Sequence, residues 1–504
     1  MTLLKVEKYD EAFIRIFTDK STEQELSDFF TFPVPGAKFM PKFKAKVWDG
    51  KARLYNLQTK KLYAGLIDYV KEFASRNDYE LEIAEGVEYD MGITVEQVEG
   101  FAKIINPCSK GNPIEIRDYQ VDAIHKALNN CRTVLLSPTA SGKSLIIYTL
   151  LRWFLAKGLT CIIIVPTTSL VEQLYSDFED YSTGNGWRTD DNCQKLYSGL
   201  SKDFTSNVLI TTWQSSWRNK AGGALDGIGK DFYNQFDVVI CDEAHLAKGA
   251  SITSMFENMT DVKYRIGTTG TIDNSQVNQL QLEGIMGPVH RVITTRQLMD
   301  SNRVVQLDIK CLLLKYPEEI RKIYSGMKYQ EEMDFIVSHE GRNKFITNLA
   351  LKQDGNTLVL FQFVAKHGKV LHKMIQERLE DGRKLFFVSG EVNAEEREYI
   401  RKECENETNA IIVASFGTFS TGVNIPSIEN IIFSSPTKSK IRNLQSIGRG
   451  LRLREGKTSC ILYDIADDLS WKSSKNHTLG HFSERVKTYS EEQFDLKLHQ
   501  IDIK

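Results

Sequence analysis

The sequence predicts an α/β chain: two parallel-sheet lobes in tandem behind a small N-terminal α+β domain. Short apolar runs that end in a turn and open a helical period recur from Thr133 to Val165 and again from Thr357 onward, the pattern of a sheet flanked by helices. One such junction, Ser137-Pro-Thr-Ala-Ser-Gly-Lys-Ser144, has the composition of a loop that cradles phosphate. Ahead of both, basic and aromatic residues concentrate in one short stretch between acid-rich flanks. A length of 504 residues makes three domains the fair prior. The expected boundaries are 1–100 for the N-terminal domain, 101–113 for a linker, 114–295 for the first lobe and 296–504 for the second lobe with its tail.

Composition narrows the class. Hydrophobic residues make up 41% and charged residues 26%, as in an ordinary globular protein. The net charge of −2 means that any nucleic-acid partner is held by local basic patches, not by a bulk field. The eight cysteines are scattered without a Cys-x-x-Cys pair, so reduced, mostly buried thiols and no zinc are expected. There is no apolar run near ~18 residues and no charged-then-apolar start, so the expectation is a soluble cytoplasmic protein.

In the N-terminal domain, Lys38, Lys42, Lys44, Lys46, Lys51, Arg53, Lys60 and Lys61 accompany a single acid, Asp49, and interleave with Phe39, Phe43, Trp48, Tyr55 and Tyr63. Alternation in Phe43-Lys-Ala-Lys-Val-Trp48 predicts a strand with one basic face, and Asp49-Gly50 a hairpin turn. Lys42, Lys44 and Lys46 would track a phosphate backbone; the alternative is an edge strand protected by lysine. Leu62 to Val70 reads as core packing. The Pro- and Gly-bearing stretch Asn106 to Pro113 reads as the linker.

Ile116-Arg-Asp-Tyr-Gln120 then opens a helix. The carboxamide of Gln120 suits an adenine edge, and Arg117 or Tyr119 suits stacking on the base; a Gln in this place otherwise serves as a helix cap. In the phosphate loop, the backbone of Ser137, Thr139, Ala140, Ser141 and Gly142 would face the phosphates. Lys143 would add charge at the β and γ positions, and the Ser144 hydroxyl would ligate Mg²⁺. Ser137 stands where the usual first glycine would be, and the alternative is a turn that only caps a helix. The strand Cys161 to Val165 ends at Pro166-Thr167, a helix start suited to a nucleic-acid phosphate. Phe236 to Cys241 delivers Asp242-Glu-Ala-His245 to the carboxyl edge of a parallel sheet, with Asp242 assigned to the metal, Glu243 to water and His245 to a link with Tyr264 to Thr271.

In this order the motifs resemble those of superfamily 2 helicases of the Asp-Glu-Ala-His type, which implies two RecA-like lobes and ATP hydrolysis with Mg²⁺. The resemblance continues through Thr357 to His367 and Ala414 to Pro426, which look like strand-contacting motifs and imply Phe361 and Thr421 at nucleic acid. Its last motif is Gln445-Ser-Ile-Gly-Arg-Gly-Leu-Arg452, similar to the arginine-finger motif, and the resemblance covers roughly residues 112 to 465. That likeness implies Gln445 at the nucleotide and Arg449 and Arg452 at the γ-phosphate. The N-terminal portion, the Asp-Glu-Ala-His form and the compact size are similar to branch-remodelling helicases of T-even bacteriophages. That implies DNA, branched, duplex and single-stranded, and DNA–RNA hybrids as partners, in recombination, repair and replication control. A single-strand-binding protein is a further candidate partner, a monomer is the expected state, and the host cytoplasm is the expected location. Two other readings stay open: a duplex translocase that does not separate strands, and a nucleotide-gated binding protein. Charge at helical spacing from Pro317 to Leu351 predicts a solvated helical face, and the tail beyond Trp471 carries no legible motif.

Overall fold

The computed structural model describes residues 2–197, 204–216, 230–247, 249–272, 275–392, 394–422, 427–437, 439–454 and 456–503. The chain divides into two units, Met1–Ser137 with Gly142–Ile293, and Pro138–Ser141 with Thr294–Lys504. No helix among the described residues is long and apolar enough to cross a membrane.

The N-terminal domain is a four-stranded sheet of β1 (Leu3–Lys8), β2 (Phe13–Phe17), β3 (Lys61–Tyr63) and β4 (Glu80–Ile83), in the order β3-β2-β1-β4. Alternation puts Leu4, Val6, Ile14 and Ile16 into one core with Leu26, Leu66, Val70 and Phe73. The basic stretch differs from expectation. Pro41 occupies the first turn of a short helix, Pro41–Lys44, and Lys46 has a φ of +55°, so no strand forms there. The real hairpin partners are Thr31–Pro33 and Lys51–Arg53, and Asp49 is held by the Arg53 guanidinium at 2.5 Å. Lys42, Lys44 and Lys46 are exposed, as are Phe39, Phe43 and Val47.

Leu62 to Val70 does more than pack a core. It forms β3, a tight turn and the start of α1 (Ile67–Arg76), and it docks the domain on the first lobe. The Tyr63 hydroxyl donates to Glu257 at 2.6 Å and the Tyr69 hydroxyl to Glu283 at 2.7 Å. A Cβ on Gly65 would strike the Glu283 carbonyl, so the turn sits directly against a helix of the lobe. Nearby, Arg132 and Glu11 pair at 2.6 Å with only 8% and 9% of their side chains exposed. The expected linker is also ordered: Val95–Ile105 is a helix with a Thr94/Gln97 capping box, and Cys108–Ser109 pairs with Asn112–Pro113.

The first lobe is a seven-stranded parallel sheet: β5 (Arg132–Leu136), β6 (Cys161–Val165), β7 (Cys193–Leu196), β8 (Val208–Thr212), β9 (Val238–Asp242), β10 (Tyr264–Thr269) and β11 (Val289–Arg291). Their order is β7-β8-β6-β9-β10-β5-β11. Runs such as Cys161-Ile-Ile-Ile-Val165 are buried throughout because helices flank the sheet on both faces, including α2 (Asp118–Asn130), α3 (Lys143–Ala156), α4 (Thr168–Ser182) and α5 (Gln276–Met286). The second lobe repeats the plan with β12 (Gln306–Lys315), β13 (Asn356–Phe361), β14 (Leu385–Val388), β15 (Ile411–Ser415), β16 (Ile428–Phe433), β17 (Ser459–Asp468) and β18 (Leu496–Asp502). They run β14-β15-β13-β16-β17-β12-β18, all parallel. The tail is thus structural, supplying β18 and the helix His477–Glu491.

The charge between Pro317 and Leu351 is not all solvated. Arg342 is fully buried and donates to both oxygens of the equally buried Asp467, at 2.7 and 3.0 Å, and to the Ser434 carbonyl. Glu332 accepts from the backbone N–H groups of His477 and Thr478 at the start of the tail helix. Charge at helical spacing marks a polar face; the carboxylates on β17 and the helix start at His477 turn part of it inward. Removing one member of such a pair strands a buried charge. Asp467→Ala is expected to destabilise the second lobe by about 3–5 kcal/mol, seen as an earlier urea transition for that lobe in the full chain.

Candidate functional site

Strand register brings the chemistry together. Leu135 of β5 lies opposite Thr268 of β10, and Thr268 lies opposite Asp242 of β9. The loop leaving β5 and the acids ending β9 therefore emerge at the same carboxyl edge, where open α/β sheets bind ligands. The Ser137 N–H donates to the Thr269 carbonyl at 2.8 Å, fixing the loop's base, and the Lys143 ammonium donates to the Ser137 carbonyl at 3.3 Å. The Ser141 hydroxyl bridges to the Pro138 carbonyl at 2.6 Å. Ala140 and Gly142 adopt φ values of +68° and +83°, which folds the loop back before α3 begins at Lys143. Thr139 lies within this turn.

Gln120 is buried and braces the loop. Its Oε1 accepts from the Arg117 N–H at 2.9 Å, and its amide nitrogen occupies the space that a Cβ on Gly142 would need. The carboxamide is at once the helix cap and the loop's buttress. Arg117 donates to the Tyr119 hydroxyl at 2.7 Å, so these two side chains form one half-buried unit beside it.

Asp242 ends β9, and its carboxylate accepts from the Thr268 hydroxyl at 2.7 Å. Burial pushes this carboxyl above the usual range, Glu243 adds to the rise, and Lys143 and Thr268 oppose it. A divalent cation beside it would relieve that burial, and a carboxylate with the hydroxyl of Ser144 is the hard oxygen donor set that Mg²⁺ takes. Glu243 has a left-handed backbone, φ +51°, a strain of about 1–3 kcal/mol that turns its side chain away from the strand direction. His245 is buried, with Nδ1 2.9 Å from Thr269 Oγ1 and 3.3 Å from Glu243 Oε2. It therefore joins the acid pair to the end of β10. Thr268 was not singled out from sequence; its role follows only from its place beside Asp242 in the register.

Among the other candidate residues, Thr167 caps α4, accepting from the Leu170 N–H at 3.3 Å, and stays half exposed. Phe361 is wholly buried at the end of β13, stacked on Phe387 with centroids 5.5 Å apart, so its ring faces the core of the second lobe. The apolar run that made it legible as a motif is also what buries it. Thr421 falls where side chains lie outside the described residues, as does Val423 to Pro426. Gln445 and Arg449 lie on the helix Lys440–Gly450, where Arg449 sits over the Phe419 ring at 5.3 Å, and Arg452 follows the helix end.

Three families match the chain in sequence: residues 4–84 match the N-terminal domain of DNA helicase UvsW, 113–274 the res subunit of type III restriction enzymes, and 340–454 the helicase conserved C-terminal domain. The ATP-dependent DNA helicase uvsW of Enterobacteria phage T4 is 32% identical over 519 residues, covering 99% of this chain and all of the relative. The crystal structure of T4 UvsW superposes with a TM-score of 0.53 at 30% identity, over 99% of both chains. A type ISP restriction-modification enzyme, LlaBIII bound to DNA, shares the fold at 15% identity and a TM-score of 0.57, over 86% of this chain and 34% of its own.

Two outcomes test the site. Gly142→Ala places a methyl group on the Gln120 amide in a backbone region that alanine avoids, so nucleotide binding measured by fluorescence titration is expected to fall at least ~10-fold. Because the folded Asp242 carboxyl is raised, the ligand-free protein binds that proton more tightly than the unfolded chain does. This contribution to stability falls as pH rises from the ordinary carboxylate range through the raised one. Asp242→Asn is therefore expected to stabilise the ligand-free protein in thermal melts above that window while reducing ATP turnover ~100-fold or more.

Proposed function

Because this chain belongs to the UvsW family of ATP-dependent DNA helicases, within superfamily 2, we propose that its substrates are branched DNA and DNA–RNA hybrids: stalled forks, four-way junctions and R-loops. The observation that carries this reading is the N-terminal domain. It is docked on the first lobe by Tyr63, Tyr69 and the buried Glu11–Arg132 pair, and it presents Lys42, Lys44 and Lys46 beside exposed Phe39, Phe43 and Val47. Cations there suit two backbones, and exposed rings suit bases that lose their stacking partners where strands diverge. A platform fixed to the motor lobe would stay at the branch point while the lobes cycle.

In the proposed cycle, Lys143 binds the ATP phosphates and Glu243 orients the attacking water. Arg449 and Arg452 stabilise the γ-phosphate in the transition state, an effect typically worth ~10³–10⁵ in rate. Mg²⁺, held by Ser144 and Asp242, would neutralise phosphate charge. His245 and Thr269 would report the state of the acid pair to the loop after β10. Thr167 and the N–H groups at its helix start would hold a strand by phosphate, giving little sequence preference. We place the protein in the host-cell cytoplasm as a monomer, with a single-strand-binding protein as a further partner.

Strand-displacement and ATP turnover assays on single-stranded DNA, plain duplex, a DNA–RNA hybrid and a four-way junction test the substrate reading. Branched and hybrid substrates are expected to stimulate most, with the effect abolished by Lys143→Ala; stimulation by plain duplex alone would indicate a translocase instead. Exchanging Lys42, Lys44 and Lys46 together for glutamate is expected to weaken junction binding at least ~10-fold and to make its salt dependence shallower by about 2–3 in log–log slope. Unchanged affinity at moderate salt would remove the patch from the interface.

A further inference from the structure

One contact in the first lobe is not used by the cycle above. The Ser144 hydroxyl lies 2.8 Å from the hydroxyl of Tyr181, at the far end of α4. The tyrosine is held from several sides. Its ring packs on Tyr148, one turn beyond Ser144 on α3, with centroids 5.5 Å apart. Its carbonyl accepts from Asn185 at 3.1 Å, and the same amide reaches the Tyr148 hydroxyl and the Ile105 carbonyl. A phenol hydroxyl can both accept and donate.

A serine hydroxyl that ligates a cation does so through an oxygen lone pair, and its proton must then point elsewhere. An acceptor fixed on the opposite side decides which lone pair faces the metal. From this geometry, and resting on the reading of Ser144 as a Mg²⁺ ligand, we propose that Tyr181 is a positioning residue that takes the Ser144 proton as a hydrogen bond and aims the serine oxygen at Mg²⁺. Tyr181 sits on the helix that Thr167 opens, so the residue orienting the metal ligand belongs to the same rigid element as the proposed phosphate contact. Partners that orient metal ligands in this way typically change metal affinity ~10–100-fold when removed.

The test uses the full-length protein, a fluorescent ADP analogue and Mg²⁺ as titrant, so that turnover plays no part. Tyr181→Phe keeps the ring and removes the acceptor. It is expected to raise the Mg²⁺ concentration for half-maximal enhancement of nucleotide binding by ~10-fold, with metal-free nucleotide affinity unchanged. In a Ser144→Ala background the same substitution is expected to add nothing, an independence that a general packing defect would not show. If Ser144→Ala shifts the Mg²⁺ dependence and Tyr181→Phe does not, the positioning role is wrong. A double variant worse than Ser144→Ala alone would also overturn it. If Ser144→Ala leaves the Mg²⁺ dependence unchanged, the error lies in the underlying reading of Ser144, and the proposal falls with it.

Discussion

The row of parallel backbone pairing that aligns Leu135, Thr268 and Asp242 is the constraint on which the site depends. A shift of one residue in either strand would turn Asp242 to the other face of the sheet and separate it from the loop that follows β5. The burial of β5, β9 and β10 between helices specifies that register, and each fully buried Val or Ile contributes about 1.5–3 kcal/mol. Core packing and site geometry are here one problem: the residues that stabilise the lobe also set how far the lysine lies from the acids.

Polar groups at this edge are under tension in the ligand-free chain. Asp242 is half-buried beside a second carboxylate, Glu243 and Ala140 hold left-handed backbones, and the Gln120 amide sits where a Cβ on Gly142 would lie. The two left-handed backbones cost stability, and a cation would offset the cost of the paired carboxylates. The second lobe uses its buried charge differently. Arg342 with Asp467, and Arg485 with Asp464, are matched internally and fasten helices to β17.

The alternating strand–helix order, the phosphate loop and the Asp242 to His245 motif were legible because periodicity and short motifs are local. What escaped was decided by tertiary context. Alternation in Phe43 to Trp48 looks like a strand, yet Pro41 and the positive φ of Lys46 impose a helical turn instead. The motif around Phe361 carries no sign of burial, which the packing of Phe387 and Gly368 around it decides. Arg342 looked solvated because its partner lies 125 positions away on another strand. The docking role of Gly65, Tyr63 and Tyr69 was hidden for the same reason: each needs Glu257 or Glu283, which no local pattern associates with it.

In the proposed cycle, ATP bound by the first lobe is hydrolysed only with a contribution from the second. Arg449→Ala tests it most directly, with ATP affinity measured by equilibrium titration and turnover measured on a saturating four-way junction. Affinity within a few-fold of the unmodified protein is expected, with turnover reduced by ~10³ or more. Turnover that survives the substitution would contradict it, because the second lobe would then take no part in the chemistry.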